Sequence, residues 1–538
     1  MTAPRDAVYT CPDGTPFPVV WEDSAHAALT LGWNQSHFPR AFTPLAAAVY
    51  RLMDAGRSRA HEEVGVPRPV GHRPWLVVNG FQYLRLSPVP ADEEAARETA
   101  AEQFAARCGG SWDAWAGFCQ PRIAAACEWL QQAPETTLVA ALAERAGYAF
   151  NLTFVQDVTY AMNRLIRFCI EMFDANDEAL ALELTPGYPN ATLAVDLALW
   201  EVAQLADRSP KVRRAFLEAP PDRFKAPVAK AGGEEVVAAF DACLARYGWQ
   251  AQGWDVASPT WNEQPEVPLA LMRRMLLDRV PSPESAIAAA AERRDALVRD
   301  LEQRLPMDAD RQRFHELQAP MAVYVAVREA RALWQLTTAG SLRGALLRQG
   351  GRLVREGRIA SVGDVWFLLP EELASDTGSA AAVLAERISQ RRQEWESWKD
   401  RQPPATIGGT GSVTAVSQDT GAPVVIAAKG AAAVVRGIGA SRGSYTGRAR
   451  VMSEPGLGTE LAVGEVLVCV MTTPAWTPLF AVAGAIVTDS GGILSHPSIA
   501  AREYGIPAVV GAKAATTSIP DGALVTVDGA AGTVTVLA

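Results

Sequence analysis

The chain has 538 residues, of which 49% are hydrophobic and 20% are charged, and its formal net charge is -10. This length predicts about three domains at roughly 100–200 residues each. The excess of acidic residues argues against a broad polyanion-binding surface, so we expect no nucleic-acid partner. We also expect no membrane partner, because no apolar run approaches the roughly 18 residues that span a bilayer and the first residues form no signal-peptide core.

Cysteine and histidine usage excludes two further classes of protein. The seven cysteines are scattered and none forms a CxxC pair, which is typical of reduced thiols in a cytoplasmic protein. Outside the motifs described below, the remaining histidines show no metal-ligand spacing, so we expect them to be structural and expect no metal site. These histidines are His26, His61, His72 and His315.

Residues 1–400 carry long helical patterns and all but one of the 15 tryptophans. They predict a mainly α-helical domain in which the tryptophans form core or pocket wall. One helix is predicted to begin with Ser282 as N-cap and Pro283 in its first turn. It is predicted to end before Pro306, because proline cannot continue a helix.

A second helical stretch is predicted over residues 308–356, with breaks at Pro320 and at Gly350-Gly351. After it, residues 364–369 (DVWFLL) predict a short apolar strand, and residues 370–373 (PEEL) predict an acidic helix start. These elements complete the predicted helical domain.

The composition changes abruptly after residue 400. Residues 401–431 include two consecutive prolines and a GGTGS run, with few charges and no helical period. They predict a linker that acts as a hinge. Residues 432–538 then show short apolar runs separated by glycine turns, which predict a small α/β domain.

The most informative segment is residues 488–507, TDSGGILSHPSIAAREYGIP. It predicts a strand that ends at Thr488, a tight loop at the glycine pair, and a helix that begins at Ser495-His496 and ends at Gly505. His496 would therefore lie at a helix N-terminus, where the dipole disfavours imidazolium and the N–H groups stabilise an anion. A neutral histidine beside an anion site is suited to carry a phosphoryl group. The alternative is a histidine that merely caps the helix.

This motif closely resembles the phosphohistidine swivelling domain of the phosphoenolpyruvate-utilising enzymes, and residues 472–479 (TTPAWTPL) resemble the loop that these domains carry upstream. The resemblance implies that His496 is the phosphorylated residue. It further implies that nearby residues support the phosphate or the histidine loop: Thr488, Gly491, Gly492, Ser495 and Arg502.

The layout of a helical domain followed by a C-terminal swivel resembles the rifampicin phosphotransferases and the swivel-bearing subunit of phenylphosphate synthases. The landmarks are residues 33–39 (WNQSHFP), an R-E motif at Arg328, and residues 364–373. By this resemblance Arg328 is catalytic, whereas the lysine that the family carries one turn later is Ala332 here. The resemblance implies substrate-binding roles for Trp33, His37, Arg331 and Trp476. The alternatives are a core histidine at His37 and solvated helix charges at Arg328 and Arg331.

The resemblance also indicates what this chain needs from elsewhere. The substrate-domain landmark already appears near residue 33 and no GxxxxGK[ST] motif is present. We therefore expect that this chain alone binds no cofactor, and that ATP and Mg²⁺ bind to a separate ATP-grasp subunit. The leading hypothesis is a two-component dikinase-type phosphotransferase acting on a phenol or alkylphenol. The alternatives are a component of an antibiotic phosphotransferase, and a phosphohistidine carrier or regulatory protein without a small-molecule acceptor.

Overall fold

The structure is a computed structural model that describes most of residues 6–537. The ranges outside the described residues are 22–23, 36, 66–75, 87–91, 93–94, 97–98, 101–102, 104–111, 154–158, 174–178, 375–379, 410–424, 427–432, 453–460, 474–475 and 494. His72, Cys108 and most of the predicted linker 401–431 therefore lie outside the described residues. The hinge stays a prediction.

The described α-helices are concentrated before residue 400. In chain order they are α1 (Ser24–Ala27), α2 (Pro44–Leu52), α3 (Asp54–Val64), α4 (Trp112–Gln132), α5 (Val139–Leu152), α6 (Thr159–Phe173), α7 (Ala179–Leu182), α8 (Ala191–Asp207), α9 (Pro210–Glu218), α10 (Lys225–Lys230), α11 (Glu234–Tyr247), α12 (Glu266–Leu277), α13 (Pro283–Arg304), α14 (Asp308–Gln318), α15 (Met321–Arg355), α16 (Ala381–Trp398), α17 (Thr477–Phe480), α18 (His496–Tyr504) and α19 (Ala515–Ser518). Short 3-10 helices cover Pro221–Arg223, Val362–Phe367 and Pro370–Leu373. None of the described helices is long and apolar enough to span a bilayer.

The described strands form three sheets. They are β1 (Asp6–Thr10), β2 (Pro16–Val20), β3 (Leu31–Trp33), β4 (Leu76–Val78), β5 (Phe81–Arg85), β6 (Thr406–Ile407), β7 (Val425–Ile426), β8 (Val434–Arg436), β9 (Ile438–Ser441), β10 (Ser444–Met452), β11 (Val466–Cys469), β12 (Ala485–Thr488), β13 (Ala508–Val510), β14 (Leu524–Asp528) and β15 (Thr533–Val536). β1 and β2 form a hairpin, and the second sheet has the order β4-β5-β3-β6. The third has the order β7-β8-β15-β14-β10-β11-β12-β13-β9, with β10 to β13 parallel. Helices followed by this C-terminal α/β sheet confirm the predicted fold class.

The described residues fall into two compact units by their mutual contacts. Unit 1 comprises residues 1–157, 253–259 and 334–417, and unit 2 comprises residues 158–252, 260–333 and 418–538. These bounds differ from the domains that the sequence predicts, and the predicted boundaries stay a prediction. Unit 2 contains helices α6 to α14 together with the third sheet.

The parallel strands β11 to β13 of the third sheet are buried on both faces, because their side chains alternate between two apolar cores. In β11, Leu467 and Cys469 pack into a core shared with Phe216, Phe240 and other side chains of α8 to α12. The intervening Val466 and Val468 contact the core on the opposite face. A strand buried on both faces reads as a continuous apolar run, which is why β11 was predictable from its sequence. Within unit 2, the sheet and the helices thus share one hydrophobic core.

Two of the predicted local elements are wrong, both in unit 1. Residues 364–369 form no strand: Val362–Phe367 is a 3-10 helix with a capping box in which Asp364 accepts from the backbone N–H of Ser361. Gly350-Gly351 does not end the preceding helix, since α15 continues to Arg355. A Cβ on Gly350 would lie 2.9 Å from the carbonyl oxygen of Val362, so this glycine permits a close approach within the unit.

Several other predictions are confirmed. Helix α13 has Ser282 as N-cap and ends before Pro306, and the break at Pro320 separates α14 from α15. The six described cysteines are buried and form no disulfide. Trp115 is buried in unit 1, and its ring stacks on Trp334 with a centroid separation of 5.3 Å, as expected of core tryptophans.

We predict that Gly187→Ala destabilises unit 2 by about 3 kcal/mol or more. Gly187 has a φ of 80°, and an added Cβ would lie 2.2 Å from the backbone nitrogen of Ala291. The left-handed conformation alone costs an L-residue about 1–2 kcal/mol, and the clash adds to it. Gly232→Ala is the matched control, because Gly232 has a φ of 90° but open space around it. Equal losses in calorimetric unfolding of the two variants would contradict the close approach.

Candidate functional site

The loop that carries His496 is built by local hydrogen bonds. Ser495 is the N-cap of α18, and its hydroxyl donates to the carbonyl oxygen of Gly492 at 2.7 Å. The hydroxyl of Ser498 donates to the same oxygen at 2.7 Å. Gly491 has a φ of 119°, and an added Cβ would lie 2.8 Å from the Ser495 hydroxyl oxygen. Gly491 therefore permits the tight loop that the sequence predicts, and the carbonyl oxygen of Gly492 accepts both serine hydroxyls.

Two other predicted support residues also lie at this loop. The hydroxyl of Thr488 donates to the Ser490 carbonyl at 2.7 Å. The guanidinium of Arg502 is buried and donates to the carbonyl oxygens of Ala440 and Ile493, at 2.7 and 3.0 Å. Burial lowers the pKa of Arg502 to about 10. In this structure Arg502 fastens the histidine loop to strand β9.

The imidazole of His496 is enclosed by side chains of α17 and α15 in unit 2. Its Nε2 lies 3.1 Å from the hydroxyl oxygen of Thr477, and its Nδ1 lies 3.9 Å from a carboxylate oxygen of Glu329. The ring of Phe480 meets it edge-on at 6.2 Å between centroids. The side chain is only 9% exposed. The ring of His496 therefore has little contact with solvent, although it lies at the helix N-terminus.

Burial also sets the charge of this ring. Desolvation lowers the pKa of His496 from 6.5 to about 4; the carboxylate of Glu329 opposes this shift and the charge of Arg328 adds to it. The ring is therefore neutral at pH 7, as the sequence argument expected. The dominant cause is burial, however, and not the helix dipole on which that argument relied.

The residues of the helical part that act on His496 lie on α15, and a residue of α8 supports one of them through a hydrogen bond. Glu329 is buried, and the hydroxyl of Thr192, in the first turn of α8, donates to its Oε2 at 2.6 Å. Arg328 is half-buried beside it and donates to the Tyr324 hydroxyl at 3.4 Å. Arg331 is half-buried on the same helix. The structure thus brings the predicted catalytic pair His496 and Arg328 into one site.

Sequence reasoning missed three members of this site. Glu329 stands in the R-E motif but only its arginine neighbour was assigned a role, and Thr477 stands in the 472–479 loop without an assigned role. Both signals were therefore available. Thr192 had no signal, because nothing in its surroundings along the chain distinguishes it from any other residue of a helix start.

The predicted substrate-binding residues are divided between the two units. Trp476 is 4% exposed and belongs to the apolar core of unit 2. Trp33 and His37 lie in unit 1, where the indole N–H of Trp33 donates to the Phe38 carbonyl at 3.3 Å. His37 is exposed, with its Nδ1 3.1 Å from Asn34 Oδ1, so the alternative of a core histidine is wrong.

Helix α18 is fixed to the helices of unit 2 by buried acids. The Tyr504 hydroxyl donates to Asp196 at 2.7 Å, and the backbone N–H of Gly187 donates to Glu503 at 2.8 Å. Burial raises the pKa of Asp196 to about 8 and that of Glu503 to about 7. These acids therefore keep protons to higher pH while the helix is packed than they would in water.

Comparison with known families agrees with this site. The mobile domain of PEP-utilising enzymes matches residues 461–532, and the fourth domain of rifampicin phosphotransferase matches residues 153–329. The chain therefore carries a region that matches the mobile domain of PEP-utilising enzymes. Its layout over the matched regions is that of the rifampicin phosphotransferases. His496 falls in the first match, and Arg328 falls in the second.

Individual relatives point the same way. A chondramide synthase of Chondromyces crocatus is 31% identical over 97% of this chain, and the uncharacterized phosphotransferase YvkC of Bacillus subtilis is 28% identical over 72% of it. A rifampicin phosphotransferase of Streptomyces sviceus is 29% identical over 65% of the chain. The matches cover 14%, 47% and 40% of these three proteins, so the chain spans less than half the length of each.

We predict that burial of His496 makes the folded state less stable in mild acid. Between pH 6.5 and about 4 the unfolded chain binds a proton at this residue that the folded chain does not, so the free energy of unfolding falls as pH is lowered. His496→Gln should remove this loss. Relative to wild type, it should gain about 1–2 kcal/mol between pH 7 and pH 5.

Denaturant unfolding at the two pH values measures this gain. His315→Gln is the control, because the His315 side chain is 59% exposed and should give no such gain. A difference between His496→Gln and wild type that stays constant with pH would show that the ring is not buried in solution.

Proposed function

We propose that this chain is the substrate-binding and phosphohistidine component of an ATP-dependent phosphotransferase. In this proposal His496 accepts a phosphoryl group and passes it to a hydroxyl group of a small aromatic acceptor. The observation that carries the proposal is the neutral, buried imidazole of His496 at the start of α18, beside Arg328 on α15. The two matched domains, one of PEP-utilising enzymes and one of rifampicin phosphotransferase, support it.

The geometry is suited to the chemistry of a phosphohistidine. A neutral ring nitrogen keeps a lone pair that can attack phosphorus, whereas an imidazolium could not. The positive charge of Arg328 acts on the ring, because this charge lowers the pKa of His496. A fixed guanidinium close to the ring would stabilise the phosphoryl oxygens as the group moves between nitrogen and acceptor.

We further propose that ATP and Mg²⁺ bind to a separate ATP-grasp subunit. The overall reaction would then convert ATP, acceptor and water into AMP, phosphorylated acceptor and phosphate, with phospho-His496 as intermediate. Support comes from the resemblance in layout to phenylphosphate synthases. The proposed compartment is the cytoplasm, since the six described cysteines form no disulfide.

Two acceptor classes remain in the proposal. A phenol or alkylphenol fits the tryptophan-rich helical part, because flat apolar side chains suit an aromatic ring. An antibiotic hydroxyl is the second candidate, favoured by the match to the fourth domain of rifampicin phosphotransferase and by relatives of that name. If the chain is instead a carrier without a small-molecule acceptor, His496 would be phosphorylated but no acceptor would receive the phosphoryl group.

We predict that His496→Gln abolishes phosphorylation of every acceptor. The chain would be incubated with its ATP-grasp partner, ATP, and phenol, 4-alkylphenols or rifampicin, and the products would be measured by mass spectrometry. His315→Gln should react like wild type. Phosphorylated product from His496→Gln would contradict the proposal. Phospho-His496 without any phosphorylated acceptor would favour the carrier hypothesis.

We predict that the purified chain alone shows no measurable affinity for ATP. Isothermal calorimetry with ATP and MgCl₂ should give only heats of dilution, because in the proposal the nucleotide site lies on the partner subunit. The same titration of the mixture with the ATP-grasp partner is the positive control. Micromolar binding by the chain alone would contradict the two-component arrangement.

A further inference from the structure

The two ring nitrogens of His496 face chemically different partners. Nε2 lies at hydrogen-bond distance from the Thr477 hydroxyl, which can donate or accept. Nδ1 faces Glu329 at 3.9 Å and has no hydrogen-bond partner among the described residues, although it is buried. A buried ring nitrogen without a partner is costly, and a carboxylate can serve it only by accepting a proton from it.

The carboxylate is itself held in place. Glu329 is 5% exposed in its side chain, and the Thr192 hydroxyl donates to the same oxygen that faces Nδ1. The separation of 3.9 Å is an ion-pair distance and exceeds a hydrogen bond. A positive charge on the ring would strengthen the attraction, since both groups are buried where screening by water is weak.

We propose that Glu329 is a positioning residue that keeps a proton on Nδ1 of His496 while the phosphoryl group leaves from Nε2. This inference rests on the proposed function, because it assigns a step to phospho-His496. A ring that carries phosphoryl on Nε2 and a proton on Nδ1 is cationic, and the Glu329 carboxylate stabilises that cation. Without the proton, the departing ring would be an imidazolate, which is a far poorer leaving group.

The step balances in atoms and charge. The acceptor oxygen forms a bond to phosphorus, the bond from phosphorus to Nε2 breaks, and its electron pair returns to Nε2. The hydroxyl proton of the acceptor passes to water. The ring becomes neutral with its proton still on Nδ1, which is the tautomer that Glu329 selects in the resting site. Glu329 thus acts through His496 and touches neither acceptor nor phosphate.

A merely structural role for Glu329 is the competing explanation, because the residue also ties α15 to α8 through Thr192. Two readouts separate the roles: the tautomer of the resting histidine, and the accumulation of phosphohistidine during turnover. A loss of packing would lower the amount of active protein. It would not slow transfer from phospho-His496 more than it slows the formation of phospho-His496. Glu329→Gln keeps the shape of the side chain and removes its charge. With the amide nitrogen in place of the oxygen that faces Nδ1, the Thr192 hydroxyl can accept from the amide instead of donating to it.

The first experiment measures the tautomer by two-bond ¹H–¹⁵N spectra of the full chain labelled at histidine. Signals of His496 are assigned by their loss in His496→Gln. Wild type should show the proton on Nδ1, and Glu329→Asp should preserve it. Glu329→Gln should shift the proton to Nε2, because the amide N–H can donate to Nδ1. Glu503→Gln is the matched control, a buried carboxyl on α18 whose partner is the Gly187 N–H and not the ring.

The second experiment uses the full chain with its ATP-grasp partner, ATP and the acceptor found above. Formation of phospho-His496 in Glu329→Gln should stay within about twofold of wild type. Its transfer to acceptor should slow by roughly 10- to 100-fold, because the cationic ring loses the opposite charge that faces it in a buried site, so phospho-His496 accumulates. Glu503→Gln should transfer at the wild-type rate.

The outcomes distinguish this inference from the proposed function. An Nδ1 proton that persists in Glu329→Gln, or transfer at the wild-type rate in that variant, overturns the positioning role. Equal slowing of both half-reactions also overturns it, because that is the pattern of structural damage. If wild type never forms phospho-His496 while its tautomer still shifts with Glu329, the proposed function fails and Glu329 retains its effect on the ring.

Discussion

The burial of one imidazole is the constraint on which the site depends. Enclosing His496 removes water from both ring nitrogens, and this desolvation outweighs the nearby carboxylate in setting its pKa at about 4. The ring is consequently neutral over the physiological range. The helix dipole is not needed to explain this neutral state. The pKa stays this low only while α18 is packed against α15 and α8 and the ring is buried. In this site the nucleophilic, neutral state of the His496 ring therefore depends on the packing of α18.

The same burial disfavours a charged phosphoryl group on the ring, unless nearby cations compensate the negative charge of that group. A phosphohistidine adds negative charge to a site that already contains Glu329, and a buried charge is costly without a partner. Arg328 is the cation whose charge reaches the ring. The acids that hold α18, Asp196 and Glu503, have raised pKa values and are thus partly neutral near pH 7.

The local structure around His496 was predictable from sequence, because its signals are local. A serine N-cap, a proline in the first turn and a glycine at the C-cap fix the ends of α18 within ten residues. The surroundings of the ring were not predictable in this way. Glu329 lies 167 positions earlier in the chain, and no local pattern encodes a contact over that distance. The wrong strand prediction at residues 364–369 has a related cause, since the apolar run VWFLL at residues 365–369 suits a buried 3-10 helix equally well.

The site is composite, and this limits what either matched domain can do alone. Thr192, Arg328 and Glu329 lie within residues 153–329, whereas Thr477 and His496 lie within residues 461–532. The mobile domain by itself would expose the imidazole to water, where the pKa of the ring returns toward 6.5 and both tautomers are populated. Lowered pKa and a preferred tautomer thus arise only when the two domains pack together. Helix α15 therefore influences the protonation of the group that, in the proposed function, delivers the phosphate.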